Sequence, residues 1–188
     1  VKDFNNDGFS DITSINNTTL GTRMYHRVAS RGKITADYFN INEFRRGGDG
    51  FEMPYHEAVI AEVVRHQINS GAVNFDLLLR ENDKFSTYFS AQNVKRETYY
   101  GANQDPSSYG FTKDFTYSAG VQYSRNFDWF LLSPSVLIAG IENNGSSLED
   151  TKLGYYDYEL DIHLGNTEVA RQQLITTAGF LQNEWVFK

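Results

Sequence analysis

The chain has no cysteine, few prolines and no long hydrophobic run. Without Cys among its 188 residues, it can form neither a disulfide nor a thiolate metal site. No segment approaches the roughly 18 consecutive apolar residues that a membrane-spanning helix needs, which excludes a helical membrane protein. The net charge of -7 argues against nucleic acid as a partner. An apolar run is not needed in a membrane strand, because only alternate side chains face lipid.

The residues that are abundant favour strands. There are 14 Phe and 12 Tyr against 3 Pro. Segment 115–124 alternates strictly: Phe115, Tyr117, Ala119, Val121 and Tyr123 share one face, and Thr116, Ser118, Gly120, Gln122 and Ser124 share the other. Such a period of two places one face in an apolar medium and the other in a polar one. Further strands are predicted at 18–28, 33–44, 57–79, from Lys84 onward, 130–143 and 171–188.

The connections between these strands alternate in length. Short ones are predicted at 29–32, 81–83 and 126–129, and long ones at 45–56, 99–113 and 144–170. Tight turns at one end and long loops at the other are typical of an antiparallel up-and-down transmembrane β-barrel, with turns in the periplasm and loops outside. Strands of about ten residues or more suffice to cross a tilted bilayer. The sequence therefore predicts an all-β barrel wall in a bacterial outer membrane.

Aromatic residues mark the predicted membrane boundaries. Phe127, Trp129 and Phe130 surround one short turn, and Trp185 and Phe187 lie at the matching end of the last strand. Amphipathic rings favour membrane interfaces, although ordinary strand packing would also use them. Because bacterial barrels have an even strand number of at least eight, seven strands predict a piece of a larger barrel. The sequence starts at Val1 and shows no charged segment leading into an apolar stretch, so a mature, truncated or internal sequence is expected.

Segments in the predicted loops and the last strand resemble a known family. They are Arg45-Arg46-Gly47-Gly48-Asp49-Gly50-Phe51-Glu52-Met53-Pro54-Tyr55-His56-Glu57-Ala58, Tyr99-Tyr100-Gly101-Ala102-Asn103-Gln104-Asp105-Pro106 with Tyr109-Gly110 and Thr112-Lys113-Asp114, and Phe180-Leu181-Gln182-Asn183-Glu184-Trp185. With the strands between them, most of 18–188 resembles TonB-dependent outer-membrane receptors of Gram-negative bacteria.

The resemblance implies a 22-stranded barrel that surrounds an N-terminal plug. Such receptors import a scarce nutrient, and the loops are most similar to those of cobalamin and siderophore receptors. The expected partners are membrane lipid and lipopolysaccharide, the nutrient, and the TonB complex, which acts through the plug. No plug is recognised in this sequence, so 1–188 is expected to be partial barrel: 1–17 an external loop, 18–188 strands and loops.

The first loop contains a candidate calcium site. Asp3, Asn5, Asp7 and Asp11, with Gly8 at the turn, supply oxygen side chains at the spacing that suits a hard cation. The spacing is closer to short propeller or dockerin loops than to an EF-hand. A turn rich in Asn, Asp and Gly is the simpler alternative. If calcium binds, it would stiffen the loop.

Other candidate binding residues lie in the long loops. Tyr99 and Tyr100, and Tyr155, Tyr156 and Tyr158 among several carboxylates, could contact a substrate, with a solvated external loop favoured for 144–170. The basic residues Arg45, Arg46, Lys95 and Arg96 could serve an anionic ligand, with a solvated rim or a lipopolysaccharide contact favoured.

No sequence feature supports catalysis. The histidines His26, His56, His66 and His163 lack metal-ligand spacing, and no GxSxG, P-loop or GxGxxG motif occurs. The chain is therefore predicted not to be an enzyme. A soluble calcium-binding β domain and a small outer-membrane barrel enzyme remain alternatives. A propeller would repeat its calcium motif in every blade, and no second copy is present.

Overall fold

The structure, a computed structural model, describes residues 2–185 and 187. The described chain is mainly extended, with short 3-10 helices at Tyr55–Glu57 and Pro106–Ser108. Its strands are β1 (Ser14–Val28), β2 (Gly32–Gly48), β3 (Ile60–Arg80), β4 (Asp83–Ala102), β5 (Tyr109–Phe130), β6 (Ser133–Lys152), β7 (Tyr155–Asp157), β8 (Ile162–Leu164) and β9 (Thr167–Trp185). None of the helices in this part of the chain is long and apolar enough to cross a bilayer.

The long strands form a single antiparallel meander. The 7-stranded sheet has the order β1-β2-β3-β4-β5-β6-β9, and the short β7 and β8 pair only with each other. The sheet is open, with β1 and β9 at its edges. The prediction of an all-β, antiparallel, up-and-down arrangement is confirmed. Closure into a barrel and a total of 22 strands remain predictions.

The two ends of the sheet carry different connections. Residues 29–31, 81–82 and 131–132 make tight turns at one end, which we call the turn end. Segments 49–59, 103–108 and 153–166 connect strands at the other end, which we call the loop end. Because neighbouring strands run in opposite directions, alternate connections must fall at the same end.

The strands are longer at the loop end than the sequence predicts, except β3, which begins at Ile60 and not at the predicted residue 57. The predicted loops 99–113 and 144–170 shorten to 103–108 and 153–166, and Ser14 to Asn17 of the predicted first loop belong to β1. The hydropathy pattern fails here because polar residues occupy both faces while the strands stay paired, as where Lys95 lies opposite Lys113. The predicted loop and last strand also include Val1, Val186 and Lys188, which lie outside the described residues.

The third tight turn is also displaced. It lies at 131–132 and not at the predicted 126–129, so β5 continues to Phe130. The pairing of β5 with β6 shifts register between Phe127 and Phe130, and Leu131 has a positive φ of 60°. Asn126 and Asp128 are typical turn residues, but here they sit in the bulged end of a strand.

Glycines on the strands make room for aromatic rings from the adjacent strand. A Cβ added at Gly120 would lie 2.6 Å from the ring of Tyr88, its direct cross-strand partner. The same relation links Gly21 to Phe39 and Gly140 to Phe180. These rings therefore lie over the glycine backbone, in space that a larger side chain would occupy. Packing of aromatic rings on glycines helps to hold curved sheets in register.

Candidate functional site

The two faces of the long sheet differ in chemistry. We call the face that carries Met24, Ala36 and Val73 the apolar face, and its opposite, with Arg23 and Asp37, the polar face. The apolar-face positions near the turn end form what we call the uncharged band. It comprises every second residue of seven segments, and in each segment the first and last residues are included: 20–28, 32–40, 69–77, 85–93, 115–123, 139–147 and 173–181.

Charge is confined to one face along this part of the sheet. None of the residues of the uncharged band is Asp, Glu, Lys or Arg. Over the same segments the polar face carries Arg23, Arg27, Lys33, Asp37, Asp76 and Glu142. The free energy of an ion is far higher in an apolar medium than in water. A sheet with charged side chains on one face only is therefore suited to an apolar medium at its other face.

The large side chains of the uncharged band are open to the surroundings. Met24 is 63% exposed, Ile141 58% and Leu181 74%, since no second layer of the described chain covers them. An apolar surface that extends across a whole sheet is far larger than the patches that soluble monomers expose. It therefore requires a covering partner or a membrane.

The polar face is held by hydrogen bonds and ion pairs between neighbouring strands. Arg23 on β1 pairs with Asp37 on β2. Lys84 Nζ lies 2.9 Å from Asp76 Oδ1, and Tyr88 Oη donates a 2.8 Å hydrogen bond to Glu142 Oε2 across β5. The charges and hydroxyls are thus arranged for an aqueous or polar neighbour.

Aromatic residues border the uncharged band at the turn end. The rings of Phe127 and Phe130 stack with centroids 5.0 Å apart, and the indole Nε1 of Trp185 donates to the Phe130 carbonyl at 3.1 Å. Trp129 and Phe187, the other predicted boundary aromatics, are exposed. An apolar ring with a satisfied indole N–H is the arrangement found at interfaces between apolar and aqueous media.

At the opposite border the apolar face turns to amides and then to charges. The Oδ1 of Asn69 accepts hydrogen bonds from Tyr38 Oη and Asn40 Nδ2, both 2.8 Å long. One row further toward the loop end, Lys95 and Lys113 lie opposite each other. The medium that fits the apolar face thus changes from apolar to polar within a few residues along each strand.

At the loop end, the 49–59 and 103–108 connections pack on the apolar face of the sheet. Ala58, Ala61, Val63 and Tyr99 form a buried cluster, with Tyr55 and Tyr109 against it. Tyr99 is 1% exposed, and its hydroxyl donates to the Asp105 carbonyl at 2.9 Å. The rings of Tyr99 and Tyr109 are 4.8 Å apart. We call these six residues the loop-end cluster.

A buried arginine holds the 49–59 connection. Arg46 donates to the carbonyls of Gly50 (2.6 Å), Phe51 (3.0 Å) and Met53 (3.2 Å), and its guanidinium lies 4.9 Å from the centre of the Tyr55 ring. The sequence favoured a solvated rim or a lipopolysaccharide contact for Arg46 over an anionic ligand, and its buried position fits none of these. Its partners are backbone carbonyls, and no side-chain pattern reveals them.

The 103–108 connection is capped by Asp105. Its carboxylate accepts hydrogen bonds from Ser108 Oγ at 2.7 Å and from the backbone N–H of Ser107 at 2.8 Å. The hydrogen bonds from Ser108 and Ser107 lower the pKa of Asp105 below its ordinary value. The ionised carboxylate is therefore part of the folded loop.

The candidate calcium residues lie together in the first loop. Asp3 and Asp7 accept hydrogen bonds from the backbone N–H groups of Gly8 and Phe9, both 2.9 Å, and Asp11 accepts one from Phe4 at 2.7 Å. Asp3 Oδ1 is buried without a hydrogen-bond partner. The oxygen-only donors suit calcium. However, within residues 2–185 and 187 no group of at least three Asp, Glu or His side chains is arranged to hold a metal.

The candidate substrate tyrosines do not form one site. Tyr99 and Tyr100 are neighbours on β4 and point to opposite faces: Tyr99 lies in the loop-end cluster, whereas Tyr100 is 56% exposed. Tyr155 and Tyr156 are in β7, and the rings of Tyr156 and Tyr158 meet edge to face at 4.9 Å. A hydrogen bond to Asp161 raises the pKa of Tyr156. Tyr158 is 86% exposed, so the β7–β8 hairpin offers a ring to the exterior.

Comparisons with known proteins leave the family open. No protein-family model, no curated protein and no solved structure matches this chain. What it does must therefore be argued from the one-sided charge of the sheet and from the loop-end residues.

Proposed function

We propose that this chain is part of the wall of a TonB-dependent receptor in a bacterial outer membrane. The observation that carries the proposal is the uncharged band, opposite a polar face with Arg23, Asp37 and Glu142. A barrel wall with lipid outside and a polar interior requires this distribution. A soluble sandwich would instead bury its apolar face against a second sheet.

Strand length supports a transmembrane position with the loops outside. Strand β5 has 22 residues and β4 has 20, so at about 3.3 Å per residue each is more than 60 Å long. A hydrocarbon core of about 30 Å occupies only part of that length. The uncharged band near the turn end provides the part in lipid, and the loop-end cluster then stands above the outer leaflet.

The direction of the edge strands supports a larger barrel. Strands β1 and β9 are the first and last of a 7-stranded antiparallel meander, so they run in the same direction. Closing this sheet on itself would require one parallel pair among otherwise antiparallel pairs. Additional antiparallel strands satisfy the free edges without that exception. The 22-stranded barrel of the proposed family provides them.

In this proposal four loop-end tyrosines, three exposed and Tyr155 half-buried, meet the imported nutrient. Tyr100, Tyr155, Tyr156 and Tyr158 are the contacts proposed for cobalamin, an iron–siderophore or a similar compound, while Tyr99 contributes by holding the loops. The polar face would surround a plug through which the TonB complex acts. Lipid and lipopolysaccharide would contact the apolar face. The chain supplies no catalytic group in this scheme.

Two experiments, membrane extraction and then nutrient uptake, test the proposal. The protein carrying this chain should leave the outer membrane only with detergent, and it should migrate differently on gels before and after heating. Deletion of the gene for this protein should then reduce bacterial growth on limiting cobalamin or iron, to the level seen when the TonB complex is removed. Release by salt alone would contradict the proposal and favour a soluble calcium-binding β domain. Detergent extraction with unchanged nutrient uptake would favour a small barrel enzyme.

Calcium is proposed as a stabiliser of the first loop. Asp3, Asn5, Asp7 and Asp11 would hold the ion, and the unpartnered Asp3 Oδ1 supports this arrangement. Calcium would neutralise carboxylates that repel one another and would stiffen the loop. Protease cleavage within 2–12 should slow when calcium replaces EDTA, and the Asp7→Asn variant should lose the effect. Equal cleavage rates in calcium and EDTA would contradict a calcium role.

A further inference from the structure

A cavity rich in aromatic rings lies at the loop end, on the apolar face of β3, β4 and β5. Its volume is about 340 Å³. Small-molecule sites usually have volumes of roughly 300–1,000 Å³, so this cavity has room for a small ligand. Its apolar lining is provided by residues of three strands and two connections: Tyr55, Val63, Tyr99, Tyr109 and Leu153.

The tyrosines of the cavity offer ring surface more than hydroxyl groups. Tyr99 Oη donates to the Asp105 carbonyl at 2.9 Å, and Tyr109 Oη lies 3.0 Å from His56 Nδ1, so both hydroxyls already have partners. The ring centres of Tyr55 and Tyr109 are 6.4 Å apart. Burial raises the pKa of Tyr99 and of Tyr109, as expected in surroundings of low polarity. The interior of the cavity therefore suits an apolar group, and an aromatic ring above all.

The exposed side of the cavity carries two opposite charges. Arg65 on β3 and Glu97 on β4 are direct cross-strand partners, and both line the cavity. Arg65 Nη1 is 3.7 Å from Glu97 Oε2, which is too long for a hydrogen bond, and each side chain is 58% exposed. The Arg65 guanidinium also lies over the Phe44 ring, 5.5 Å from its centre, a contact that uses its flat face and not its N–H donors. Both charged groups can therefore bind a ligand as well as each other.

We infer that this cavity binds a free aromatic α-amino acid. The ring of the ligand would enter among the tyrosines, its carboxylate would accept hydrogen bonds from Arg65, and its ammonium would donate to Glu97. An amino acid carries both charges on one carbon, which matches two side chains whose Cβ atoms are only about 5 Å apart on neighbouring strands. The site is separate from the tyrosines proposed to meet the nutrient, so the inference goes beyond the proposed function and does not rest on it.

A series of related ligands tests which groups the cavity recognises. Calorimetry on the purified whole protein in detergent should detect binding of L-phenylalanine. Phenethylamine lacks the carboxylate and 3-phenylpropionate lacks the ammonium, so each should bind about tenfold more weakly, through loss of hydrogen bonds between charged groups. L-Alanine keeps both charges but has no ring, and it should bind more weakly than L-phenylalanine. No binding of L-phenylalanine, or equal binding by L-phenylalanine and phenethylamine, would overturn the inference.

Matched substitutions assign the two charges to their partners. Arg65→Gln and Glu97→Gln should each weaken binding of L-phenylalanine about tenfold. Phenethylamine should be weakened only by Glu97→Gln, and 3-phenylpropionate only by Arg65→Gln. Arg96→Gln and Glu62→Gln are the controls, because they remove the same charges from the polar face of the same two strands. Unchanged binding in the cavity variants, or an equal loss in the controls, would contradict the assignment.

The same protein preparations separate this inference from the proposed function. Arg65 and Glu97 form an exposed pair that contributes little to stability, so their variants should unfold at the wild-type temperature. A protein that salt alone releases from the membrane but that binds L-phenylalanine would defeat the proposed function and support this inference. A heat-modifiable protein that needs detergent but does not bind L-phenylalanine would defeat this inference alone.

Discussion

The turn-end and loop-end parts of the sheet share one backbone arrangement but use their side chains differently. In the turn-end part, the uncharged band is exposed and the polar face carries the charges. In the loop-end part, charges such as Lys95 and Arg96 occupy both faces, and apolar side chains are buried in the loop-end cluster. The difference indicates that the two parts fold against different media. The first needs an apolar surrounding, whereas the second provides its own small core in water.

The largest effect is expected from breaking the loop-end cluster. Tyr99→Ala should cost the folded loops about 3–5 kcal/mol, because it removes a ring that is 1% exposed. Hydrogen exchange should rise in 49–59 and 103–108 and stay slow in the uncharged band. Tyr100→Ala is the matched control, with an expected change within about 0.5 kcal/mol. Equal exchange throughout the sheet would show that the two parts are not independent.

A charge placed in the uncharged band should have the next largest effect. If the proposed membrane position is right, Val73→Arg should destabilise the protein by about 2–4 kcal/mol, because the ion must then enter lipid. The adjacent Asn74→Arg places the same charge on the polar face and should change stability little. Urea unfolding in lipid vesicles measures both. Similar losses in the two variants would remove the proposed distinction between the faces.

Removing the space that Gly120 leaves for the Tyr88 ring, on the polar face, should have a smaller effect on stability. Gly120→Ala should cost about 1–3 kcal/mol, because the new Cβ would lie 2.6 Å from the Tyr88 ring and displace it from Glu142. Gly179→Ala is the control, since the atom nearest to its added Cβ, the Gly140 carbonyl oxygen, is 3.8 Å away. Unfolding of both variants under the same conditions gives the comparison. A Gly120 variant as stable as the Gly179 variant would argue that the Tyr88 ring moves freely.

The smallest effect should come from the loop cap. Asp105→Ala should weaken the 103–108 connection by less than about 1 kcal/mol at neutral pH, because this carboxylate is partly exposed. Since folding lowers the pKa of Asp105, its contribution is complete above about pH 4, its unfolded value, and is lost as the pH falls through the lowered value. Protease cleavage of this loop should differ between wild type and variant at pH 7, and the difference should disappear at a pH far below about 4. A difference that persists there would exclude the carboxylate charge as the cause.

The sequence predicts the fold best where the two faces of the sheet differ most in polarity. In segment 115–124 the contrast between Val121 and Gln122 identifies the strand and its faces without any structure. Near the loop end both faces are polar, so no alternation of apolar and polar residues predicts that β5 extends back to Tyr109. The loop-end cluster was also unpredictable, because Tyr55, Tyr99 and Tyr109 come from separate connections and strands that only tertiary packing brings together.

Nitroxide labels along β5 test the central claim most directly, and a chain without Cys allows single labels without background. Labels at Tyr117→Cys, Ala119→Cys and Val121→Cys in lipid vesicles should collide with dissolved oxygen and be shielded from a water-soluble nickel chelate. Labels at Thr116→Cys, Ser118→Cys and Gln122→Cys should show the reverse, giving a period of two. Labels on the apolar face that the nickel chelate reaches as readily as those on the polar face would contradict a lipid-facing wall.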